Sequence, residues 1–149
     1  MKIKFGLSIM ILFLWVSLLM PVPINAQDQE PYTVEYYYKV KWGYFDEFID
    51  LYKKNHYPIL KELKKRGEII DMQAAYPIYH IPESARWDFR YTITYKNFTA
   101  SRNKALSDAI SMQLYPDQVT LKKEEQHRFE ILLEHSDIPI REEKPENWK

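Results

Sequence analysis

The chain has 149 residues, no cysteine, and 21 Lys and Arg against 21 Asp and Glu. The missing thiols exclude a disulfide framework, a zinc-thiolate site, an iron–sulfur cluster and a cysteine nucleophile. The neutral balance argues against nucleic acid as a partner, because nucleic-acid-binding proteins carry a basic surface. Three glycines are too few for a glycine-rich phosphate loop.

The N-terminal segment has the layout of a secretory signal peptide. Lys2 and Lys4 precede an apolar run over residues 5–20, and a small residue, Ala26, precedes the expected cleavage site. The run is shorter than the roughly 20 residues of a membrane-spanning helix. We expect a signal peptide over 1–26, no membrane span after cleavage, and export to the periplasm or the extracellular space of a bacterium. Retention as an N-terminal anchor is the alternative.

The rest of the chain is predicted to hold a short lead over residues 27–31, one domain over 32–141 and a charged tail over 142–149. The first element is a strand over 32–41, because its residues alternate in character. One face carries Tyr32, Val34, Tyr36, Tyr38 and Val40, and the other carries Thr33, Glu35, Tyr37, Lys39 and Lys41.

From Tyr44 onward the apolar period changes to that of an amphipathic helix. The helix is expected to end near Gly67, after three basic residues. Its apolar stripe consists of Phe45, Phe48, Ile49, Tyr52, His56, Ile59, Leu60 and Leu63. Pro58 lacks an N–H and crowds the carbonyl of Lys54, so we expect a kink at this point.

Two strands follow and are predicted to form a hairpin. The first covers residues 69–80 and has Ile70, Met72, Ala74, Tyr76, Ile78 and His80 on one face. The second covers 86–95 and has Trp87, Phe89, Tyr91, Ile93 and Tyr95 on one face. Pro77 marks the end of the first strand as an edge or a bulge.

The C-terminal part is predicted to be mainly helical. One helix starts after Asn97 or Thr99, and Tyr115-Pro116-Asp117 breaks it. A second helix is expected to reach Glu134, with Leu121, Phe129, Leu132 and Leu133 facing inward and the charged residues 122–125 in solvent. Residues 137–140 are expected to form a short edge strand.

This order is that of the ferredoxin-like split βαβ plan, an α+β fold. It implies a four-stranded antiparallel sheet with helices on one face. The helix-free face is semi-polar and carries Thr33, Glu35, Tyr37, Asp88, Arg90, Thr92 and Thr94. Two such faces packed together would form a dimeric α/β barrel, so we predict a homodimer through the sheet face.

At this point the chain resembles the dimeric α/β-barrel superfamily over residues 32–140. Asn55-His56-Tyr57-Pro58-Ile59-Leu60 is similar to the His-x-Pro-Leu element in the first helix of EthD-like proteins, with Ile59 in place of the usual leucine. NIPSNAP-like and antibiotic-biosynthesis-monooxygenase-like domains share the plan. The resemblance implies several activities, among them cofactor-independent monooxygenases, haem-handling enzymes and isomerase-like enzymes, and does not select one.

His56 is the first candidate site residue, because it lies on the apolar stripe beside Pro58 and titrates near neutral pH. It is either a general base or ligand anchor, or a core histidine whose imidazole a tyrosine hydroxyl satisfies. His135 lies near Asp137, where it would either support the site or stabilise the end of a helix.

The tyrosines are the second candidate. So many inward hydroxyls either satisfy one another or line a cavity for a small planar ligand. The candidate ligand-binding residues are Tyr36, Tyr38, Tyr52, Tyr76 and Tyr91, with His80 and Trp87 closing one end of the same pocket. Asp88 and Arg90 lie two apart on one strand face and are expected to form an ion pair or to orient a carboxylate.

No histidine spacing indicates a metal site, and we predict neither metal nor cofactor. The first functional hypothesis is an exported domain that binds a small aromatic or hydrophobic ligand, with a cofactor-independent oxygenase or isomerase reaction implied by the resemblance. The alternative is a non-catalytic dimeric interaction module of the cell envelope.

Overall fold

A computed structural model of the protein describes residues 30–148. The predicted signal peptide, residues 1–26, lies outside the described residues, as does most of the predicted lead. Among the described helices, none has the length and apolar character needed to cross a membrane.

Four antiparallel strands form one sheet in the order β2-β3-β1-β4. Strand β1 covers Tyr32–Val40, β2 covers Ile69–Ala75, β3 covers Phe89–Tyr95 and β4 covers Leu132–Ile140. After each of the two central strands, β1 and β3, a helical connection leads to an outer strand that is not its neighbour in the sheet. This is the ferredoxin-like split βαβ topology that the sequence predicts.

The helices pack on one face of the sheet. Helix α1 covers Phe45–Leu51, a π-helical turn covers Tyr52–His56, and α2 covers Tyr57–Lys65. Helices α3, α4 and α5 cover Phe98–Ser101, Lys104–Leu114 and Gln118–Glu130. Asn97, Asn103 and Asp117 cap the last three helices through their side-chain oxygens.

The expected kink at Pro58 takes the form of the π-helical turn, in which the Tyr57 N–H donates to the carbonyl of Tyr52. Pro58 has no N–H to offer the carbonyl of Lys54, four residues earlier. The hydroxyl of Tyr115 donates to that carbonyl at 2.7 Å instead. The break between α4 and α5 thus stabilises the irregular turn in the first helical segment.

The alternation predicted for β1 and β3 is confirmed. Val34, Tyr38 and Val40 are buried against the helices, and Tyr36 packs on the same core. From β3, Phe89, Tyr91, Ile93 and Tyr95 are buried. The core is completed from the helices, where Phe48 is fully buried.

The hairpin strands are shorter than predicted. Strand β2 ends at Ala75, because Pro77 has no N–H for the ladder. Strand β3 begins at Phe89, because the side chains of Arg86 and Asp88 bind the carbonyl and N–H of Val40 in place of a strand partner. Residues 76–88 therefore form a loop.

In β2 the predicted inward position of Ile70 was wrong. A bulge lies between Ile69 and Asp71. The bulge buries Ile69 and leaves Ile70 52% exposed. Beyond the bulge, Met72 and Ala74 face the helices as predicted, opposite Ile93 and Tyr91.

The C-terminal elements also differ from the prediction. Helix α5 ends at Glu130, and β4 covers nine residues, starting at Leu132, because it pairs with β1 along almost its whole length. Phe129 was predicted to face inward but is 51% exposed, while Arg128 is 2% exposed. In the segment predicted to be solvated, Lys122 and Lys123 are exposed, but Glu124 and Glu125 are half-buried and paired.

The helix-free face of the sheet is semi-polar, as predicted. The hydroxyls of Thr33 and Thr94 are hydrogen-bonded at 3.1 Å across β1 and β3. The predicted pair of Asp88 with Arg90 does not form. Arg90 instead lies 3.2 Å from Glu35, which also accepts a hydrogen bond from the hydroxyl of Tyr37.

Candidate functional site

A cavity of about 170 Å³ lies between the helices and the sheet, and we call it the His56 cavity. Strands β1 and β3 form its floor, the π-helical turn and α2 form one wall, and α3 and α4 form the other. Its lining consists of Tyr36, Tyr38, Tyr52, His56, Ile59, Leu60, Leu63, Ile93, Tyr95, Ala100, Ser101 and Ser107. Four of the predicted site residues, Tyr36, Tyr38, Tyr52 and His56, therefore meet at one place.

His56 ends the π-helical turn, and its ring centroid lies 5.0 Å from that of Tyr52. Within residues 30–148, no side chain or backbone group forms a hydrogen bond with its imidazole. The interpretation of His56 as a core histidine satisfied by a tyrosine is therefore not supported. Its imidazole is left to accept or donate a hydrogen bond toward whatever enters the cavity.

The pKa of His56 is lowered to about 4, mainly by burial and in part by the positive charge of Arg128. His135 acts in the same direction, while Glu125 opposes them. His56 is thus a neutral imidazole at pH 7, with one nitrogen able to accept a proton or a hydrogen bond.

The tyrosines of the cavity stay protonated. Burial raises the pKa of Tyr36, Tyr38 and Tyr52 well above the ordinary value for a phenol. The hydroxyl oxygens of Tyr36 and Tyr95 lie 3.0 Å apart in a hydrogen bond. A phenol pair of this kind uses one of its two protons, so the pair retains one donor for a ligand oxygen.

Tyr91, a predicted ligand-binding residue, is buried but does not line the cavity. Its hydroxyl donates to the sulfur of Met72 at 3.6 Å, and its ring packs on Tyr52 with the centroids 5.5 Å apart. Burial raises the pKa of Tyr91 to about 12. Tyr91 thus supports the cavity indirectly, by packing on the lining residue Tyr52.

The structure separates Tyr76, His80 and Trp87 from the His56 cavity, so the expectation of a single pocket was wrong. These residues line an open groove of about 430 Å³ with Trp42 and Phe45 at the opposite end of the core. The separation follows from the early end of β2, which carries residues 76–88 away from the sheet. Arg86 and Asp88 in this groove are hydrogen-bonded to the backbone of Val40, so these two side chains are less available to a ligand.

An ion pair beside the cavity, between the buried Arg128 and the half-buried Glu125, was missed at the level of sequence. The Arg128 guanidinium donates to Glu125 at 2.7 Å, and it lies 5.7 Å from the ring of Tyr52. The Nε of Arg128 and one oxygen of Glu125 are buried without a hydrogen-bond partner among the described residues. In the sequence, the only indication was the helical periodicity of α5, in which Arg128 lies one position from the expected inward residue, Phe129.

His135 reaches the outer side of the tyrosine cluster from β4, not from a helix as predicted. Its ring stacks on Tyr38 with the centroids 4.4 Å apart. Its Nε2 lies 3.1 Å from Asp137, as the sequence proximity suggested. Burial lowers the pKa of His135, while Asp137 opposes that change.

The stability of the protein is expected to fall by about 3 kcal/mol between pH 7 and pH 4 on account of His56 alone. The unfolded chain takes up a proton at His56 near pH 6.5, whereas the folded protein does so only near pH 4. The unfolded state is therefore favoured progressively through this window. Urea unfolding at the two pH values measures the change.

The matched comparison for this prediction is His56→Leu against His127→Leu. His127 lies outside the His56 cavity and is paired with Glu47, so its replacement should leave the contribution of His56 to the pH dependence of the unfolding free energy in place. In His56→Leu, the loss of stability between pH 7 and pH 4 should be smaller by about 3 kcal/mol. Equal pH dependence in both variants would contradict a neutral, buried His56.

Solved structures share the fold of this chain, although no protein-family model matches the sequence and no curated protein matches it significantly. A dimeric ferredoxin-like protein from an uncultured marine organism has a TM-score of 0.55 at 9% identity, covering 79% of this chain and 94% of that one. A NIPSNAP family protein from Agrobacterium tumefaciens has a TM-score of 0.50 at 12% identity, covering 82% and 94%.

An EthD family protein from Bacillus halodurans is also similar, with a TM-score of 0.48 at 10% identity, covering 76% of this chain and 99% of that one. At such identities a structural likeness establishes the fold and not the activity. Together with the strand order of the sheet, the likeness to the first two structures shows that the chain has a ferredoxin-like α+β fold.

Proposed function

We propose that this protein binds a small aromatic or hydrophobic molecule in the His56 cavity. The observation that carries the proposal is a neutral imidazole, without a described hydrogen-bond partner, facing a cavity of about 170 Å³ with apolar walls. A dry cavity of about 150 Å³ in an engineered protein core is large enough to bind benzene. The His56 cavity therefore has room for one ring.

The same geometry supports proton transfer, in the manner of a cofactor-independent oxygenase or isomerase. His56 is the proposed general base or ligand anchor, and Tyr36, Tyr38 and Tyr52 are the proposed orienting groups. A base is most effective when its pKa is near the working pH. Because the pKa of His56 is about 4, it would remove a proton only from an acidic group on the ligand.

Toluene is a suitable first probe, because its single ring fits the cavity volume and its apolar character matches the cavity walls. We expect toluene to raise the melting temperature of the protein and to shift the NMR resonances of His56. Ser107→Phe fills the cavity from α4 and should abolish both effects. Ala109→Phe, on the exposed side of the same helix, should retain them. Toluene binding that survives Ser107→Phe would contradict the proposal.

We also propose that two copies associate through the helix-free face of the sheet. This face carries Thr92 and Ile138, the latter 46% exposed, and the similar ferredoxin-like protein from an uncultured marine organism is described as dimeric, which supports the idea. Light scattering on the purified protein should give twice the mass of the chain. Thr92→Lys should give the mass of one chain if this face is the interface.

Export stays a proposal that rests on the composition of residues 1–26. N-terminal sequencing of the protein purified from its host is expected to start at Gln27. A sequence that starts at Met1 would support the retained anchor instead.

A further inference from the structure

We propose that the His56 cavity selects neutral aromatic molecules that carry a hydroxyl group, the chemical class of the phenols. This inference rests on the proposed function, since it names the ligand class of the same cavity. Four features of the described residues carry it: the charge of the lining, its hydrogen-bonding capacity, its apolar walls and volume, and the position of the Arg128–Glu125 pair.

The lining disfavours charged ligands. Every described side chain that lines the cavity is uncharged at neutral pH, including His56. Burying an ion without a counter-ion or a full set of hydrogen bonds is costly, so both a carboxylate and an ammonium group would be poorly accommodated. A neutral ligand avoids this cost.

The buried guanidinium nearby does not supply the missing counter-ion. Arg128 lies outside the cavity lining, donates to Glu125 at 2.7 Å, and packs over the rings of Tyr52 and Phe48 at 5.7 and 6.0 Å. Its charge is felt in the cavity, because it opposes protonation of His56. A positive potential repels a cationic ligand and favours partial negative charge on a ligand oxygen.

The hydrogen-bonding groups of the lining suit a ligand hydroxyl. The neutral imidazole of His56 offers an acceptor nitrogen, and the Tyr36–Tyr95 pair retains one unused proton as a donor. A hydroxyl group has both a donor and an acceptor function, and these complement the two groups. An ether or a carbonyl group can only accept, and a hydrocarbon can do neither.

The remaining walls suit the ring of such a ligand. Ile59, Leu60, Leu63, Ile93 and Ala100 supply apolar contacts. The volume of about 170 Å³ accommodates a single ring with a small substituent rather than a fused ring system. The combination of one polar end and an apolar body is that of a substituted phenol.

Four probes of similar size separate the ligand classes: phenol, toluene, benzoate and benzylamine. Their affinities for the full chain can be measured by ligand-induced NMR shifts. We expect phenol to bind about tenfold more tightly than toluene, as the net effect of the two hydrogen bonds after the cost of desolvating the hydroxyl. Benzoate and benzylamine should bind at least tenfold more weakly than phenol.

The variant His56→Leu should lower the affinity for phenol several-fold toward that for toluene, while the affinity for toluene stays within about twofold. The matched control is His127→Leu, which removes an exposed histidine paired with Glu47 and should leave the preference for phenol intact. If His56→Leu does not fold, the imidazole resonances of the unaltered protein give the same information. Both ligands should shift these resonances through their rings, but only phenol should add the change that a new hydrogen bond to a ring nitrogen produces.

The outcomes distinguish this inference from the proposed function. If toluene binds and phenol binds no better, the ligand class is wrong, although the cavity still binds aromatic molecules. Tighter binding of benzoate or benzylamine than of phenol would also overturn the class. If none of the four probes binds, the proposed function itself is contradicted.

Discussion

Replacement of Phe48 by alanine is expected to lower the free energy of unfolding by about 3–5 kcal/mol. Phe48 is fully buried and lies at the centre of an aromatic cluster, with its ring centroid 5.2 Å from that of Tyr38 and 6.1 Å from that of Phe89. Its loss would leave a cavity that neighbouring rings cannot fill without leaving their own contacts. Urea unfolding followed by circular dichroism measures the change.

A matched control for this variant is Tyr79→Ala. Tyr79 is 86% exposed on the loop between β2 and β3, so its truncation should change the unfolding free energy by no more than about 0.5 kcal/mol. A loss of less than about 1 kcal/mol for Phe48→Ala would mean that α1 does not pack on the sheet as described.

Replacement of Arg128 by methionine is expected to cost about 3 kcal/mol of stability, because it leaves the half-buried Glu125 without its partner. The side chain of Arg128 is almost completely buried, and its guanidinium also covers the ring of Phe129 at 4.7 Å. Removing the positive charge should in addition raise the pKa of His56 above about 4, since Arg128 contributes to lowering it. Urea unfolding and an NMR titration of His56 measure the two effects.

Two further variants separate charge from packing. In Arg128→Met with Glu125→Leu no charge is left unpaired, so most of the lost stability should return. Lys104→Met breaks the exposed pair with Asp108 and should cost less than about 1 kcal/mol. If the single and double Arg128 variants are equally unstable, lost packing rather than an unpaired charge is responsible.

Part of the site was predictable because it depends on local periodicity. The alternation of β1 places Tyr36 and Tyr38 on the helix side, and the 3.6-residue period of the next segment places Tyr52 and His56 toward them. Once the element order indicated a split βαβ fold, these faces had to meet. The cavity volume and the absence of a described partner for His56 were not predictable, since they depend on how closely the helices approach the sheet.

The predictions were wrong where contacts between distant parts of the chain override the local preference for a helix or a strand. The segment after Glu130 reads as a continued helix, but pairing with β1 turns it into β4 and brings His135 onto Tyr38. The alternating patterns over residues 69–80 and 86–95 predict two strands that would carry Tyr76, His80 and Trp87. Instead, Pro77 and the binding of Asp88 to Val40 place these residues in a separate groove. A periodic pattern does not show such long-range competition.

The sequence by itself determined the classes of chemistry that lack their residues, the ferredoxin-like order of elements, and the inward faces of β1, β3 and the first helical segment. These properties follow from composition and from the short repeat of each regular element. Only the tertiary structure decided that the hydroxyl of Tyr115 replaces the missing N–H of Pro58 and that Arg128 is buried beside Tyr52. Each of these joins residues about 60 to 80 positions apart, and such contacts are chosen by the packing of the whole fold.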